Sequence, residues 1–174
     1  MSYGLIYTIP FASLRNKSCI IEIEKEGYVG APTELVGAGN PFTVDIDDDD
    51  FLYVPSRFST ANIRIVGSDY LQSLFSTAYQ QYRVTFKRDG VVTWCGFIKP
   101  ELYTQDYSST IFELELECVS AMSALEYIDY KPKNGTERGF VTLWELLTRC
   151  VSESRGCYSN VYLSLIHISE PTRR

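Results

Sequence analysis

The sequence predicts a mainly β fold with a small α part (α+β): an antiparallel twisted sheet or split β-barrel, followed by two short helices. Apolar and polar side chains alternate through Ser18–Lys25, Gln81–Lys87 and Thr110–Val119, which is the period of strands with one buried face. Asp89-Gly90 separates two apolar stretches and is the signature of a two-residue hairpin turn. Helical spacing of apolar residues appears only after Ser120, and a run of strands followed by helices is typical of an α+β fold.

Shorter apolar stretches, bounded by glycine and proline, supply the other strands. Together they predict roughly 8 strands with one solvated sheet face. Gly37–Pro41 is predicted to be a turn, and Ser68-Asp69 to cap a short helix over Tyr70–Phe75. The predicted strands are Tyr3–Ile9, Ser18–Lys25, Thr33–Val36, Phe42–Ile46, Phe58–Val66, Gln81–Lys87, Val91–Ile98 and Thr110–Val119.

Two helices are predicted after the strands. Ser120 can cap a helix from Ala121 to about Tyr127. The second helix covers Val141–Ser152, with Thr142 as N-cap and Glu145 three residues later as the partner of a capping box. We therefore expect an antiparallel β-barrel-like domain over residues 1–119, a helical element that begins a truncated second region over 120–162, and a non-native tail over 163–174.

The last residues resemble the conceptual translation of a transposase-type sequencing adapter. The resemblance covers the consecutive run Leu163–Arg173, and such runs end many proteins inferred from fragmentary metagenomic assemblies. A real strand followed by a polar tail is the alternative. We expect the natural sequence to be reliable up to about Tyr162, and such segments are best excluded from fold reasoning. The only histidine, His167, lies inside the run, so Ser-His-Asp and Cys-His arrangements are not expected.

Composition excludes several functional classes. The chain has 174 residues, is 45% hydrophobic and carries a formal net charge of -6, which argues against binding to nucleic-acid backbones. It contains no apolar run of about 18 residues, so no membrane segment is predicted. The N-terminus lacks the features of a secretion signal. The five cysteines are scattered without a CxxC pair, so we expect thiols in a reducing cytoplasm, no zinc site and no cofactor.

An acidic run is the first candidate for chemistry. Asp45, Asp47 and Asp49 could gather Ca²⁺, because a hard cation relieves the repulsion between clustered carboxylates. The EF-hand spacing fails, since the sixth position from Asp45 is Asp50 and the twelfth is Ser56. A solvated acidic turn is therefore the favoured interpretation, and the calcium site is a weak candidate.

A row of carboxylates is the second candidate. Glu113, Glu115 and Glu117 share one face of a predicted strand. Paired carboxylates can hydrolyse glycosidic bonds, but alternation places these three on a solvated face, where catalysis by a carboxylate pair is not expected. We therefore predict no catalytic residue and regard the row as a solvated face or as intersubunit ion-pair partners.

Trp94 is the third candidate, as an interface residue. With the neighbouring tyrosines it could instead form an aromatic platform for sugars, which would make the chain a carbohydrate-binding or adhesin module. Trp94 is predicted to share a strand face with Val92 and Ile98, which favours the core or a subunit interface over an open platform. Exposure of Trp94 distinguishes the two interpretations.

Four stretches of the chain carry a family resemblance: Tyr3–Phe11, Ser56–Ile65, Trp94–Pro100 and Phe112–Tyr127. In these stretches the chain resembles the N-terminal region of tail or baseplate hub proteins from phages and prophages of Bacteroidetes. Relatives usually have an Asp-Gly pair at the helix start, where this chain has Ser120–Ser123.

This resemblance implies a barrel like that of tail tubes, forming a homo-oligomeric ring with other tail or baseplate proteins. It further implies a virion structural protein that is not an enzyme and is assembled in the bacterial host cytoplasm. Tail hubs sometimes carry a cell-wall hydrolase in their C-terminal part, so an N-terminal scaffold of such a hub is a further alternative.

Overall fold

In the computed structural model, the described residues are 2–46, 58–67, 71–75, 77–100, 111–129 and 142–159. The chain divides into two compact units, Met1–Ile128 and Asp129–Arg174. The described part of the first unit contains eight strands and two 3-10 helices, and that of the second contains one α-helix. Within the described ranges, no helix is long and apolar enough to cross a membrane.

The eight strands form one mixed sheet, which confirms the prediction of a mainly β fold with a small α part. Neighbouring strands follow the order β3-β1-β2-β6-β7-β8-β5-β4. The strands are β1 (Tyr3–Ala12), β2 (Ser18–Glu26), β3 (Thr33–Glu34), β4 (Val36–Ile46), β5 (Ser59–Gly67), β6 (Tyr82–Arg88), β7 (Val91–Ile98) and β8 (Phe112–Ser120).

The sheet is not purely antiparallel, because β3 pairs with β1 in parallel through Tyr7–Thr33 and Thr8–Glu34. The prediction of an antiparallel sheet is wrong at this edge. Successive strands reverse direction, so the third strand runs the same way as the first. When β3 adds to the free side of β1 instead of that of β2, the new pair is necessarily parallel.

The two ends of the sheet are joined by the chain itself. β3 lies at one end and β4 at the other, yet only Leu35 separates them in sequence. The Leu35 N–H also donates to the Thr8 carbonyl at 2.8 Å, which continues the pairing with β1. The sheet must therefore curl until its ends approach, although its hydrogen-bonded ladder does not close.

The hydrophobic core lies on one face of the curled sheet, called the inner face here. Residues directly opposite each other on neighbouring strands supply it, as in Ile21 against Phe86 and Ile63 against Leu116. Burying one such aliphatic side chain contributes about 1.5–3 kcal/mol. The fully buried aliphatic residues of this face are Ile9, Ile21, Ile23, Ile63, Ile65, Val84, Ile98, Leu114 and Leu116. Leu74, from a 3-10 helix, belongs to the same core.

The opposite, outer face is only partly solvated. Cys95, Phe97 and Val119 are buried there, whereas the prediction gave this face to solvent throughout. The end of β7 is apolar at consecutive positions, and such strands are typically buried on both sides.

The hairpin between β6 and β7 has the predicted turn. Asp89 and Gly90 have φ values of 49° and 80°, and both central positions of this turn type require positive φ. Lys17 lies 3.1 Å from the Asp89 carboxylate. The hydrogen bond from Lys17 lowers the pKa of Asp89, so the pair ties the β1–β2 loop to this turn.

Two predicted interruptions lie inside strands. β1 continues past Pro10 to Ala12, and proline is tolerated because β3 pairs only with Tyr7 and Thr8 on that side. Gly37–Pro41, predicted to be a turn, is an irregular part of β4, since the pairing steps from Gly37–Ile65 directly to Phe42–Ile63. The glycines and the proline thus mark a bulge in an edge strand.

The helical predictions differ in outcome. The segments expected to be helical near residues 70–75 and 121–127 are short 3-10 helices, Gln72–Leu74 and Ser123–Tyr127. The second predicted helix is confirmed as α1 (Leu143–Glu153). Its N-terminus has the capping box, with the Glu145 N–H donating to Thr142 Oγ1 at 3.2 Å and the Thr142 N–H donating to Glu145 Oε2 at 3.2 Å.

The cysteines depart in part from the prediction. Cys19, Cys118 and Cys150 are free thiols, whereas Cys95 and Cys157 are disulfide-bonded. The expectation of thiols is therefore wrong for these two. Burial strongly raises the pKa of Cys118, which suppresses its reactive thiolate form.

We expect the reactivity of the three free thiols in a titration to follow their exposure. In the native, unreduced protein, an aromatic disulfide reagent should react readily with half-buried Cys150 and slowly with the buried Cys19 and Cys118. Denaturation should release all three thiols, and prior reduction should raise the total to five. Rapid labelling of Cys118 in the native protein, located by peptide mass spectrometry, would contradict the core assignment.

Candidate interaction surface

The outer face carries cross-strand ion pairs. Cations and carboxylates meet on neighbouring strands, where side chains on one face come close. The pairs are Glu24–Arg83 at 2.6 Å, Glu22–Lys87 at 2.7 Å, Lys99–Glu117 at 3.3 Å and Arg64–Glu115 at 3.4 Å. The first two are the more enclosed, with side-chain exposures of 17–30%, and they connect β2 to β6.

The predicted carboxylate row is present on β8. Glu113 and Glu115 are exposed, and Glu117 is half-buried. Arg64 and Lys99 of the same chain provide the partners of Glu115 and Glu117, so these two carboxylates already have intrachain counterions. Glu113 is exposed and lies opposite Val66 of β5.

An aromatic layer fills the inner face at the end of the sheet where β4 stops. Phe42 stacks on Phe86 with a centroid distance of 4.5 Å, and Trp94 meets Phe42 edge-on at 5.5 Å. Phe11 lies parallel to Phe86 at 6.0 Å. These side chains come from four strands, and aromatic pairs of this kind stabilise beyond their buried area.

Trp94 is half-buried in this layer. Its indole N–H donates to Ser59 Oγ at 3.1 Å, so both its ring and its polar atom are engaged within the chain. The predicted shared face with Val92 is wrong. The pairing steps from Phe86–Trp94 to Lys87–Val92, and the bulge at Thr93 turns Val92 to the outer face. Ile98 does share the inner face and is buried.

Above the aromatic layer the inner face opens into a cavity of about 390 Å³, called the mouth groove here. The apolar side chains of Val44 and Ile46 line it from β4 and remain 38% and 53% exposed. The other lining residues are Ser59, Phe86, Arg88, Thr93 and Trp94. The groove thus has an aromatic floor, an aliphatic wall on β4 and a cationic residue on the opposite wall.

A second cavity of about 310 Å³ adjoins the groove and contains Asp45. Asp45 is exposed at the end of β4, and exposed Phe58 lies beside it. The other two weak calcium candidates, Asp47 and Asp49, lie outside the described residues. In the part of the chain that the structure describes, no three His, Cys, Asp or Glu side chains are grouped to hold a metal ion.

The helix of the second unit has an exposed apolar surface of its own. None of the residues of α1 is buried, and Leu143 and Trp144 are 65% and 53% exposed. Apolar residues repeat along it at helical spacing, as in a helix that packs against another surface.

Sequence reasoning located Trp94 and the carboxylate row but missed the mouth groove. The alternation of Phe42, Val44 and Ile46 was the available signal, because it places all three on the inner face with Ile63. What alternation does not give is how far the core filling extends along the strands. The core stops at the aromatic layer, so Val44 and Ile46 remain accessible.

The two classes of ion pair should respond differently to neutralisation. We expect Glu24→Gln to lower the free energy of unfolding by about 1.5 kcal/mol, because it removes a short charge-assisted bond that is mostly shielded from water. Glu115→Gln should change it by less than about 0.5 kcal/mol, since that pair is open to solvent. Urea denaturation measures both, and equal effects would contradict the difference in shielding.

Close packing around Trp94 gives a second prediction. A methyl group at Gly96 would collide with the Val119 carbonyl oxygen and with the Trp94 indole, so Gly96→Ala should destabilise the protein by roughly 1–3 kcal/mol. Gly39→Ala is the matched control, because no atom lies within 4 Å of its added methyl group. Comparable thermal stability of the two variants would contradict this packing.

Comparison with known proteins offers no relative from which a function could be transferred. No family model, no curated protein and no solved structure matches the chain. The sheet, the aromatic layer and the mouth groove are therefore the features that bear on function.

Proposed function

We propose that the chain is a structural component of a phage or prophage tail tip or baseplate, whose β domain packs with identical copies to form an oligomeric hub. The observation that carries the proposal is the exposed apolar end of β4. It is the last strand of the sheet, and its final residues leave the aliphatic side chains of Val44 and Ile46 exposed beside a half-buried aromatic layer. Exposed apolar residues on an edge strand favour association with another chain.

A ring follows from the kind of contact that such an edge makes. The other end of the sheet, β3, is only two residues long and differs from β4 in length and side chains. A contact between two different surfaces of the same chain is heterologous, and its repetition closes into a ring when the rotation allows. The net charge of -6 limits non-specific adhesion and leaves the assembled surface acidic.

The component we propose is not an enzyme. The sole histidine lies in the adapter-like run, and the carboxylates Glu22, Glu24, Glu115 and Glu117 are each paired with a lysine or arginine. Engagement of Trp94 with Phe42 and Ser59 argues against the carbohydrate-binding alternative, because an open platform needs an accessible ring face. The hydrolase-bearing hub is the same proposal with a further domain.

Self-association is the first test. Sedimentation velocity and light scattering of the 174-residue chain over a wide concentration range should reveal a species of several copies, and negative-stain electron microscopy should show rings. A chain that stays monomeric at the highest concentration and binds a glycan array would instead favour the carbohydrate-binding module.

The phage context is tested separately by the genomic DNA that adjoins the gene. We expect neighbouring genes for a tape-measure protein and for tail fibres. A neighbourhood devoted to glycan metabolism would contradict the assignment to a tail.

A further inference from the structure

A cation ends the inner face of β6. Phe86 lies on this face opposite Ile21 of β2. Arg88 lies two residues later, opposite buried Cys19, and alternation therefore places it on the same face. Arg88 is exposed and lines the mouth groove. A guanidinium in line with core residues departs from the pattern of a sheet that otherwise pairs its charges on the outer face, so its role requires an explanation.

Arg88 belongs to none of the ion pairs formed among the described residues. On the outer face of the same strand, Arg83 and Lys87 each bind a glutamate, at 2.6 and 2.7 Å. Asp89 follows Arg88 directly, but its carboxylate is bound to Lys17 at 3.1 Å. A guanidinium is always ionised and presents five donors in a planar fork. An anion supplied from outside the chain can therefore bind Arg88.

The groove beside Arg88 is apolar. Phe86 and Trp94 form its aromatic floor, and Val44 and Ile46 form its aliphatic wall. Of the described lining residues, only Arg88 is charged. The cavity of about 390 Å³ falls within the range of about 300–1,000 Å³ that is typical of small-molecule sites. An apolar lining with one charged group suits a small molecule that has an apolar body and one anionic end.

The charge of the groove favours a carboxylate over a phosphate. A carboxylate accepts two parallel hydrogen bonds from one guanidinium. A phosphate monoester carries nearly two negative charges at neutral pH, whereas the described lining supplies one cation in a chain of net charge -6. The additional negative charge of a phosphate would meet an acidic protein without a counterion. A ligand with a single negative charge is therefore the better match.

We propose that the mouth groove binds an aliphatic carboxylate of medium chain length. Arg88 holds the carboxylate, and the alkyl chain lies against Val44 and Ile46 beside Phe86 and Trp94. Burial of the alkyl chain provides most of the affinity, and Arg88 selects the anionic end and fixes its position. This inference goes beyond the proposed function, because one copy of the chain is sufficient for binding.

Octanoate is the probe, and emission from Trp94 is the readout. In a Trp144→Phe background, Trp94 is the sole tryptophan, so a change in emission reports on the groove. The ligand would cover side chains through which copies are proposed to associate, so binding is measured at a concentration at which sedimentation shows a monomer. We expect octanoate to shift the emission to shorter wavelength, and titration calorimetry gives the dissociation constant.

Related ligands separate the contribution of the chain from that of the charge. Affinity should rise by up to about fourfold per methylene from hexanoate to decanoate. Octanol has the same alkyl chain without the charge, and we expect it to bind about tenfold more weakly than octanoate. Octylammonium, with the opposite charge, should bind more weakly than octanol. Acetate, which has the charge without the chain, should not bind measurably.

Substitutions assign the effect to the groove. Arg88→Gln should weaken octanoate binding about tenfold or more and leave octanol unchanged, and Arg88→Lys should keep part of the preference for octanoate. Arg15→Gln is the matched control, because it removes an exposed arginine that is absent from the described lining. Val44→Asp should abolish octanoate binding by placing a like charge on the aliphatic wall. Circular dichroism checks that each variant folds.

Three results would overturn the proposal. These are equal affinity for octanoate and octanol, an octanoate affinity that Arg88→Gln leaves unchanged, and the absence of both a heat of binding and an emission change for every chain length. The oligomeric hub is judged separately. A chain that binds octanoate but never self-associates supports this site and refutes the hub, whereas a chain that forms rings but fails to bind octanoate as a monomer refutes this site alone.

Discussion

The register between neighbouring strands is the constraint on which the rest of this structure depends. Ile21 and Ile23 on β2 stand opposite Phe86 and Val84 on β6, and the same register sets Glu24 against Arg83 on the other face. A slip of one residue would turn every aliphatic side chain outward and every charge inward. The apolar core and the outer ion pairs therefore select the same alignment, and each reinforces the other.

The register also explains where function can reside. Core filling ends at the layer formed by Phe42, Phe86 and Trp94, so inner-face positions beyond this layer no longer face an aliphatic partner. Val44 and Ile46 continue the pattern of the core strands into a region where the described residues leave them exposed. A position patterned for burial but left accessible is where a protein surface is suited to contact another molecule.

Much of the fold could be predicted because its signals are local. Residues that are close in sequence are enough to recognise three of its features. These are the alternation in Ser18–Lys25, the Asp89-Gly90 turn and the capping box of Thr142 and Glu145. The failures involve contacts between distant residues. Whether Gly37–Pro41 is a turn or a bulge depends on the partner strand β5, and the outward turn of Val92 depends on an extra residue opposite β6.

The candidate site was predictable only in part for the same reason. Trp94 and the row on β8 are visible in one strand, whereas the groove requires β4 and β6 to face each other across a curled sheet. Sequence reasoning also had no means to pair Glu115 with Arg64, which are 51 residues apart. Because Glu115 and Glu117 already have counterions within the chain, the mouth groove on the inner face is the better candidate for an interaction site.

The continuous segment Thr33–Ile46 pairs first with β1 and then with β5, and this has a consequence for how the protein acquires its structure. β1 and β5 must already be in place before the segment can pair with both of them. We therefore expect this segment to join the sheet last during folding. Until then the edge of β5 lacks its partner strand, and nascent chains at high concentration can associate through its unpaired backbone groups. Contacts between residues so distant along the polypeptide slow folding, so synthesis of this protein should benefit from a chaperone that shields unfinished sheets.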